Sequence, residues 1–210
     1  DRLRSRGLGD VYKRQPYYNM FQGEVEVKMM NEMKYDAMTI GNHEFDFDLD
    51  NMARLFRMAD FPVVCANYDV SATVLKDLVK PYVVFERDGV KIGVLGLGCQ
   101  LEGMVQANKC VGVVYNDPVT VANEVAAVLK EKEGCDVVVC LSHLGVQYDE
   151  NQLIPKTRNI DVVLGGHSHT FMKGPKTLLN MDGKNVSLMH TGKSLSLIHI
   201  SEPTRPEPIS

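Results

Sequence analysis

Two apolar rhythms alternate along this chain. Short runs rich in Val and Ile are separated by stretches where apolar residues recur every three or four positions. The first kind predicts buried strands and the second amphipathic helices. Gly23 to Met33 reads as a helix with Val25, Met29, Met30 and Met33 on one face. A strand over 36–40 follows, then a helix from Asp48 to Ala59 with Leu49, Met52, Leu55 and Phe56 turned inward. Pro62 to Ala66 reads as a short strand. Tyr82–Glu86 and Val90–Leu97 flank Asp88-Gly89, a two-residue hairpin signal. Asp117 is placed to cap a helix that opens on Pro118 and runs to about Lys132. Strand 136–141, a short helix near 149–156 and strand 160–164 come next. A second hairpin joins Lys176–Asn180 to Val186–His190 around Asp182-Gly183. Strands alternating with helices predict a largely parallel sheet, and the hairpins add antiparallel strands.

The strand pattern carries a chemical one. Three segments begin with Asp, continue as an apolar run and end in His: Asp36 to His43, Asp136 to His143 and Asp161 to His167. Gly or Ser after each run marks the strand's end. Each strand thus delivers a histidine just past its C-terminal end, the edge where open α/β sheets bind ligands. His169 adds a fourth imidazole in Gly166-His167-Ser168-His169. Four of the six histidines meet at one edge, as a metal site requires. Any one of them alone is explained as a hydrogen-bonded strand-end residue. Asn42 alone would be a turn residue, Gly165-Gly166 a turn, and Asp46 and Asp48 charges at a helix start. Their joint order and spacing are not explained that way.

Gly41-Asn42-His43-Glu44 resembles the G-N-H-E motif of the calcineurin-like metallophosphoesterases, and Gly166-His167-Ser168-His169 resembles their G-H-x-H motif. Leu141-Ser142-His143 is similar to the isolated His ligand between them. Tyr35 to Ile40, with Asp46 two residues past Glu44, resembles the 5′-nucleotidase branch, over about residues 16–194. The resemblance implies a layered α/β sandwich of two mixed β-sheets flanked by helices. It implies two divalent ions, of Zn, Mn, Fe or Co, since imidazole, amide and carboxylate donors suit these better than Ca. Asn42, His143 and His167 would hold one ion, and His169 would help hold the other. Asn42 would also touch the substrate. His43 would be no ligand but would donate to the phosphate and the leaving oxygen, oriented by Asp46. The implied substrate is a small phosphate ester, a nucleotide, and the implied location is exported.

Three departures qualify this expectation. The family's N-terminal D-x-H motif has no counterpart here. Gly9-Asp10 stands where a G-D motif would supply a metal-bridging Asp, and Asp48 where that branch often has Gly. Residues 1–15 and 195–210 are patternless, the first basic and the second Pro-rich, and resemble translated sequencing-adapter DNA. They are expected to be non-native, with 16–194 a partial phosphoesterase domain. His199 is discounted as a ligand, His190 is taken as structural, and Thr191-Gly192-Lys193 stands where related enzymes leave the metal domain, with no role assigned to it. This chain is therefore expected to bind about one divalent ion and to hydrolyse nucleotides little or not at all. Alternatives are a 2′,3′-cyclic-nucleotide phosphodiesterase/3′-nucleotidase, a sulfur-ester hydrolase of the same superfamily, or a non-catalytic metal- or phosphate-binding remnant.

Bulk properties narrow the partners. The net charge of −4 gives no footprint for a nucleic-acid polymer. No stretch of about 18 apolar residues predicts a membrane-spanning helix. The five cysteines include no C-x-x-C pair and are expected to be free thiols.

Overall fold

The computed structural model describes residues 16–190 and Gly192. Asp10, Thr191, Lys193, His199 and both patternless ends lie outside the described residues. Eleven strands are present among the described residues: β1 (Met38–Thr39), β2 (Val63–Val64), β3 (Tyr68–Asp69), β4 (Val79–Lys80), β5 (Tyr82–Arg87), β6 (Val90–Leu97), β7 (Val114–Tyr115), β8 (Val137–Ser142), β9 (Val162–Gly165), β10 (Lys176–Leu179) and β11 (Asn185–His190). Six of them form a mixed sheet in the order β10-β11-β9-β8-β6-β5, with four parallel central strands and an antiparallel strand at each edge. Both edge pairs are the hairpins expected at Asp88-Gly89 and Asp182-Gly183. β1, β2 and β4 form a smaller parallel sheet, and β3 pairs with β7.

Alternation along the strands sets the layers. Val94, Val139 and Leu141 face Ala37 and Val64 of the small sheet. Their neighbours Leu95, Val138 and Cys140 face the other way, onto Ala122, Ala126, Leu129, Leu153 and Ile154. These belong to two helical segments. One is α4 (Pro118–Ala127), which follows α1 (Pro16–Phe21), α2 (Glu24–Glu32) and α3 (Leu49–Met58) in the chain and runs into a π turn to Lys132. The other is α5 (Val146–Tyr148), which continues through a π turn (Asp149–Leu153) and a 3₁₀ turn (Ile154–Lys156). On the far side of the small sheet, Met38, Ile40 and Val63 pack on Met30, Met52, Ala53 and Phe56 of α2 and α3. The architecture is the expected layered α/β arrangement: helices, small sheet, large sheet, helices.

Local chemistry explains the boundaries. Asp48 caps α3 by accepting from the Asn51 N–H at 2.7 Å, and Asp117 caps α4 by accepting from the Thr120 N–H at 2.8 Å. The face predicted for α2 needs correction. Glu26, Val27 and Met30 are buried, whereas Met29 is 54% exposed. Met29 lies about 100° around the helix from Met30, and the helix turns its Val27–Met30 side inward. Strand 36–40 is shorter than expected, because its ladder with β2 pairs only Met38 with Val63 and Thr39 with Val64. The five cysteines are free thiols, and burial pushes the Cys65 thiol up to about 12.

The two sheets touch most closely at Gly96. A Cβ there would lie 2.1 Å from the Val64 carbonyl oxygen and 2.6 Å from Thr39 Oγ1. Backbone cannot swing aside as a flexible side chain can, so Gly96→Ala forces the sheets apart. We expect it to destabilise the chain by about 3 kcal/mol, read from the urea midpoint. A loss below about 1 kcal/mol would show that the sheets part easily there.

Candidate metal centre and phosphoryl site

The site grows from three chain segments, and not all leave the same sheet as the sequence predicts: one follows β1 of the small sheet, and two follow β8 and β9, neighbours in the large sheet. The first is the turn after β1. Asn42–Asp46 forms a 3₁₀ helix in which Phe45 is buried at 1% exposure and anchors the turn in the core. The Glu44 carboxylate folds back to accept the Gly41 N–H at 2.6 Å. Asn42 and His43 are left at the edge. The second segment leaves β8: the His143 N–H donates to the Leu97 carbonyl at 2.8 Å, extending the ladder by one residue. The third leaves β9, where the Gly166 N–H donates to the Ser142 carbonyl at 2.8 Å. His167 and His169 then take left-handed backbone, with φ of 69° and 54°.

These segments bring three donor atoms together. Asn42 Oδ1 lies 3.2 Å from His143 Nε2 and 3.2 Å from His167 Nδ1. The two imidazole centroids are 5.1 Å apart at 61°. His143 is buried at 2% exposure, and its ring fills the place a Cβ on Gly41 would take, within 2.7 Å. Glycine at 41 is thus a steric requirement of the site. Among the described residues no group of three or more His, Cys, Asp or Glu could hold a metal, so the Asn42 amide is needed as third donor. The spacing fits that use. Two donors bonded to one ion at about 2.0–2.1 Å, at angles between octahedral and tetrahedral, stand about 2.8–3.4 Å apart. Neutral imidazole with amide oxygen is a donor set for Zn, Mn, Fe or Co. His169 follows in the same turn and is exposed.

His43 stands apart from that triangle. Its Nδ1 is 3.3 Å from Asp46 Oδ1, and both side chains are about one-fifth exposed, at 19% each. Sequence reasoning missed the residues that hold this turn. The Tyr18 hydroxyl donates to the His43 carbonyl at 3.1 Å, and the Lys109 ammonium donates to the Asp46 carbonyl. Burial, reinforced by the nearby Glu44, Asp46 and Glu26 charges, holds the Tyr18 hydroxyl well above the usual phenol range, so it stays a donor. Asn67, fully buried, accepts the Gly98 N–H at 2.7 Å and donates to the Gly98 carbonyl at 2.8 Å, just past the end of β6. No local pattern marks Tyr18 or Lys109, which lie 25 and 63 residues from their partners. An open cleft of about 700 Å³ borders His167, lined also by Gln147, Tyr148, Asn151, Ser168 and Thr170 and, among the described residues, by no Asp, Glu, Lys or Arg.

A profile of the calcineurin-like phosphoesterase family matches residues 8–171. The chain belongs to that family. Among calcineurin-like phosphoesterases, the trifunctional nucleotide phosphoesterase protein YfkN of Bacillus subtilis is 33% identical, over 78% of this chain and 13% of its own length. The 5′-nucleotidase of Vibrio cholerae is 32% identical, over 80% of this chain and 32% of its own length. The crystal structure of the 5′-nucleotidase precursor from Thermus thermophilus superposes with a TM-score of 0.80 at 31% identity, covering 84% of this chain and 37% of that one. The chain thus spans about a third or less of these relatives. Phosphoesterases of this family generally use divalent metals. No helix among the described residues is long and apolar enough to cross a membrane.

Proposed function

We propose that residues 16–194 form the metal-dependent phosphoesterase unit of an enzyme that cleaves nucleoside monophosphates to nucleoside and phosphate. The observation that carries the reading is the meeting of Asn42 Oδ1, His143 Nε2 and His167 Nδ1 at 3.2 Å spacings. These three residues would hold one divalent ion, and His169 would contribute to a second. When bound, the ions supply an activated water nucleophile and positive charge against the phosphoryl oxygens. The chain's own residues do the rest. Protonated His43 donates to a phosphoryl oxygen and then to the departing ester oxygen, which would otherwise leave as a poor alkoxide. The Asp46 carboxylate fixes the ring through Nδ1. Tyr18 and Lys109 hold the turn so that the ring faces the site. The cleft beside His167 offers amides and hydroxyls without formal charge. That lining suits a neutral nucleoside as leaving group better than a further phosphate.

The test is metal content beside turnover. Titrated with Mn²⁺ or Zn²⁺, the chain should take up about one ion tightly, through the three-donor site. Phosphate release from 5′-AMP is measured on the same samples. A chain that binds no divalent ion would remove the proposal's basis.

A further inference from the structure

Behind the strand ends lies a polar cluster that the proposed reaction leaves unused. The side chains of Asp149 and His190 are 0% and 1% exposed. Asp149 Oδ2 accepts from His190 Nε2 at 2.9 Å, and Asp149 Oδ1 accepts from the Ser142 hydroxyl at 2.5 Å. His190 Nδ1 is buried without a hydrogen-bond partner among the described residues, so the ring is held through Nε2 alone. Taking a carboxylate and an imidazole out of water is costly even when they are paired, and apolar side chains of similar volume often serve stability equally well. The cluster's value is therefore to be sought in what it positions.

Its placement is specific. Ser142 and Gly165 are register partners at the ends of β8 and β9, and Gly165 and His190 are register partners on β9 and β11. His143 directly follows Ser142, and Gly166-His167 directly follow Gly165. The His190 ring fills the space beside Gly165, where a Cβ would come within 2.0 Å of Nε2. Asp149 arrives from the helical segment that begins three residues after His143, and its own N–H donates to the Gly145 carbonyl at 3.0 Å. One carboxylate thus ties the roots of both histidine-bearing loops to a third strand.

We propose that Asp149, with Ser142 and His190, is a positioning cluster that sets the separation of the His143 and His167 imidazoles for a shared divalent ion. The inference rests on the metal site proposed above. Partners behind a metal's direct ligands typically change its affinity by about 10- to 100-fold when removed. His190 acts through the backbone of Gly165, so the lower end of that range is expected.

The experiment is Mn²⁺ titration of the 210-residue chain, with the metal-free melting temperature and the exchange rate of the Gly166 amide read alongside. His190→Ala should weaken Mn²⁺ binding about tenfold and speed Gly166 exchange. His190→Gln, which can still donate to Asp149, should recover most of the affinity. Leu129→Ala opens a cavity against Gly93, toward the end of β6 away from His143. It should lower the melting temperature and leave Mn²⁺ affinity unchanged. If His190→Ala does not fold, Ser142→Ala removes only one hydroxyl and carries the same test. Wild-type affinity in these variants, or equal weakening by Leu129→Ala, would overturn the positioning role and leave the metal site intact. A wild-type chain that bound no Mn²⁺ would overturn the metal site. Gly166 exchange would then decide the clamp alone, and exchange no faster in His190→Ala than in Leu129→Ala would overturn it.

Discussion

His143→Ala should abolish tight binding of a divalent ion and reduce phosphate release to background. Of the three donor atoms, only Asn42 Oδ1 and His167 Nδ1 would remain. Three protein ligands is the usual complement of a catalytic zinc site, and two in water compete poorly with hydration. Loss of a direct ligand should exceed the effect of losing a residue behind one, so affinity should fall by more than about 100-fold. His143 is also buried at 2% exposure against Gly41, so its removal leaves a cavity beneath the Asn42–Asp46 turn. Metal-free melting temperature separates that packing loss from the ligand loss. Asn42→Ala is the complementary variant, because it removes the shared oxygen while both imidazoles stay. If His143→Ala bound Mn²⁺ as well as the parent chain, the three-donor assignment would be wrong.

His43→Ala should behave in the opposite way, with metal content unchanged and, in a version that holds both ions, turnover reduced by about 100- to 10,000-fold, the usual range for losing a positioned general acid. The reason is geometric. His43 Nδ1 is engaged by Asp46 at 3.3 Å, whereas His143 Nε2 and His167 Nδ1 each meet Asn42 Oδ1. Asp46→Asn keeps a hydrogen-bonding oxygen beside the ring and leaves the imidazole in place, so its loss should be the smaller of the two. The measurement pairs metal analysis with kcat on 5′-AMP and on an aryl phosphate whose leaving group needs no proton. The aryl phosphate should be hurt much less. Equal losses of metal and turnover would make His43 a ligand instead.

The parts of this site legible in the sequence are those written locally. An apolar run followed by Gly or Ser and then His places a side chain at a sheet edge without knowledge of the rest of the fold. That is why His143 and His167 could be expected together, while Asn42, 101 and 125 residues away from them, joined the set only through the family motif it stands in. The hairpins and the cap at Asp117 were legible for the same reason. What escaped were partners chosen by tertiary packing. The Tyr18 and Lys109 bonds to the 42–46 turn use backbone carbonyls, which any sequence supplies and no pattern marks. His190 was assigned a structural place because a lone histidine in a strand has no local signature. Only the register of β11 on β9, with Asp149 beneath it, reveals its neighbours. Two-residue strands such as β1 and β2 exist because of the sheet they pack on, so the apolar run predicted a longer strand than forms.

The left-handed backbone at His167 and His169 has a consequence for engineering. Side chains at φ of 69° and 54° are held against a local preference of roughly 1–2 kcal/mol per residue, which glycine does not feel. A procedure that ranks substitutions by folding stability alone would therefore favour Gly at both positions. It would report a tougher protein and deliver one that has lost two imidazoles from the edge where the chemistry is proposed to occur. Residues whose replacement by Gly raises the melting temperature while removing a cation would thus mark this site in a blind mutational scan, as an inverse correlation between stability and binding.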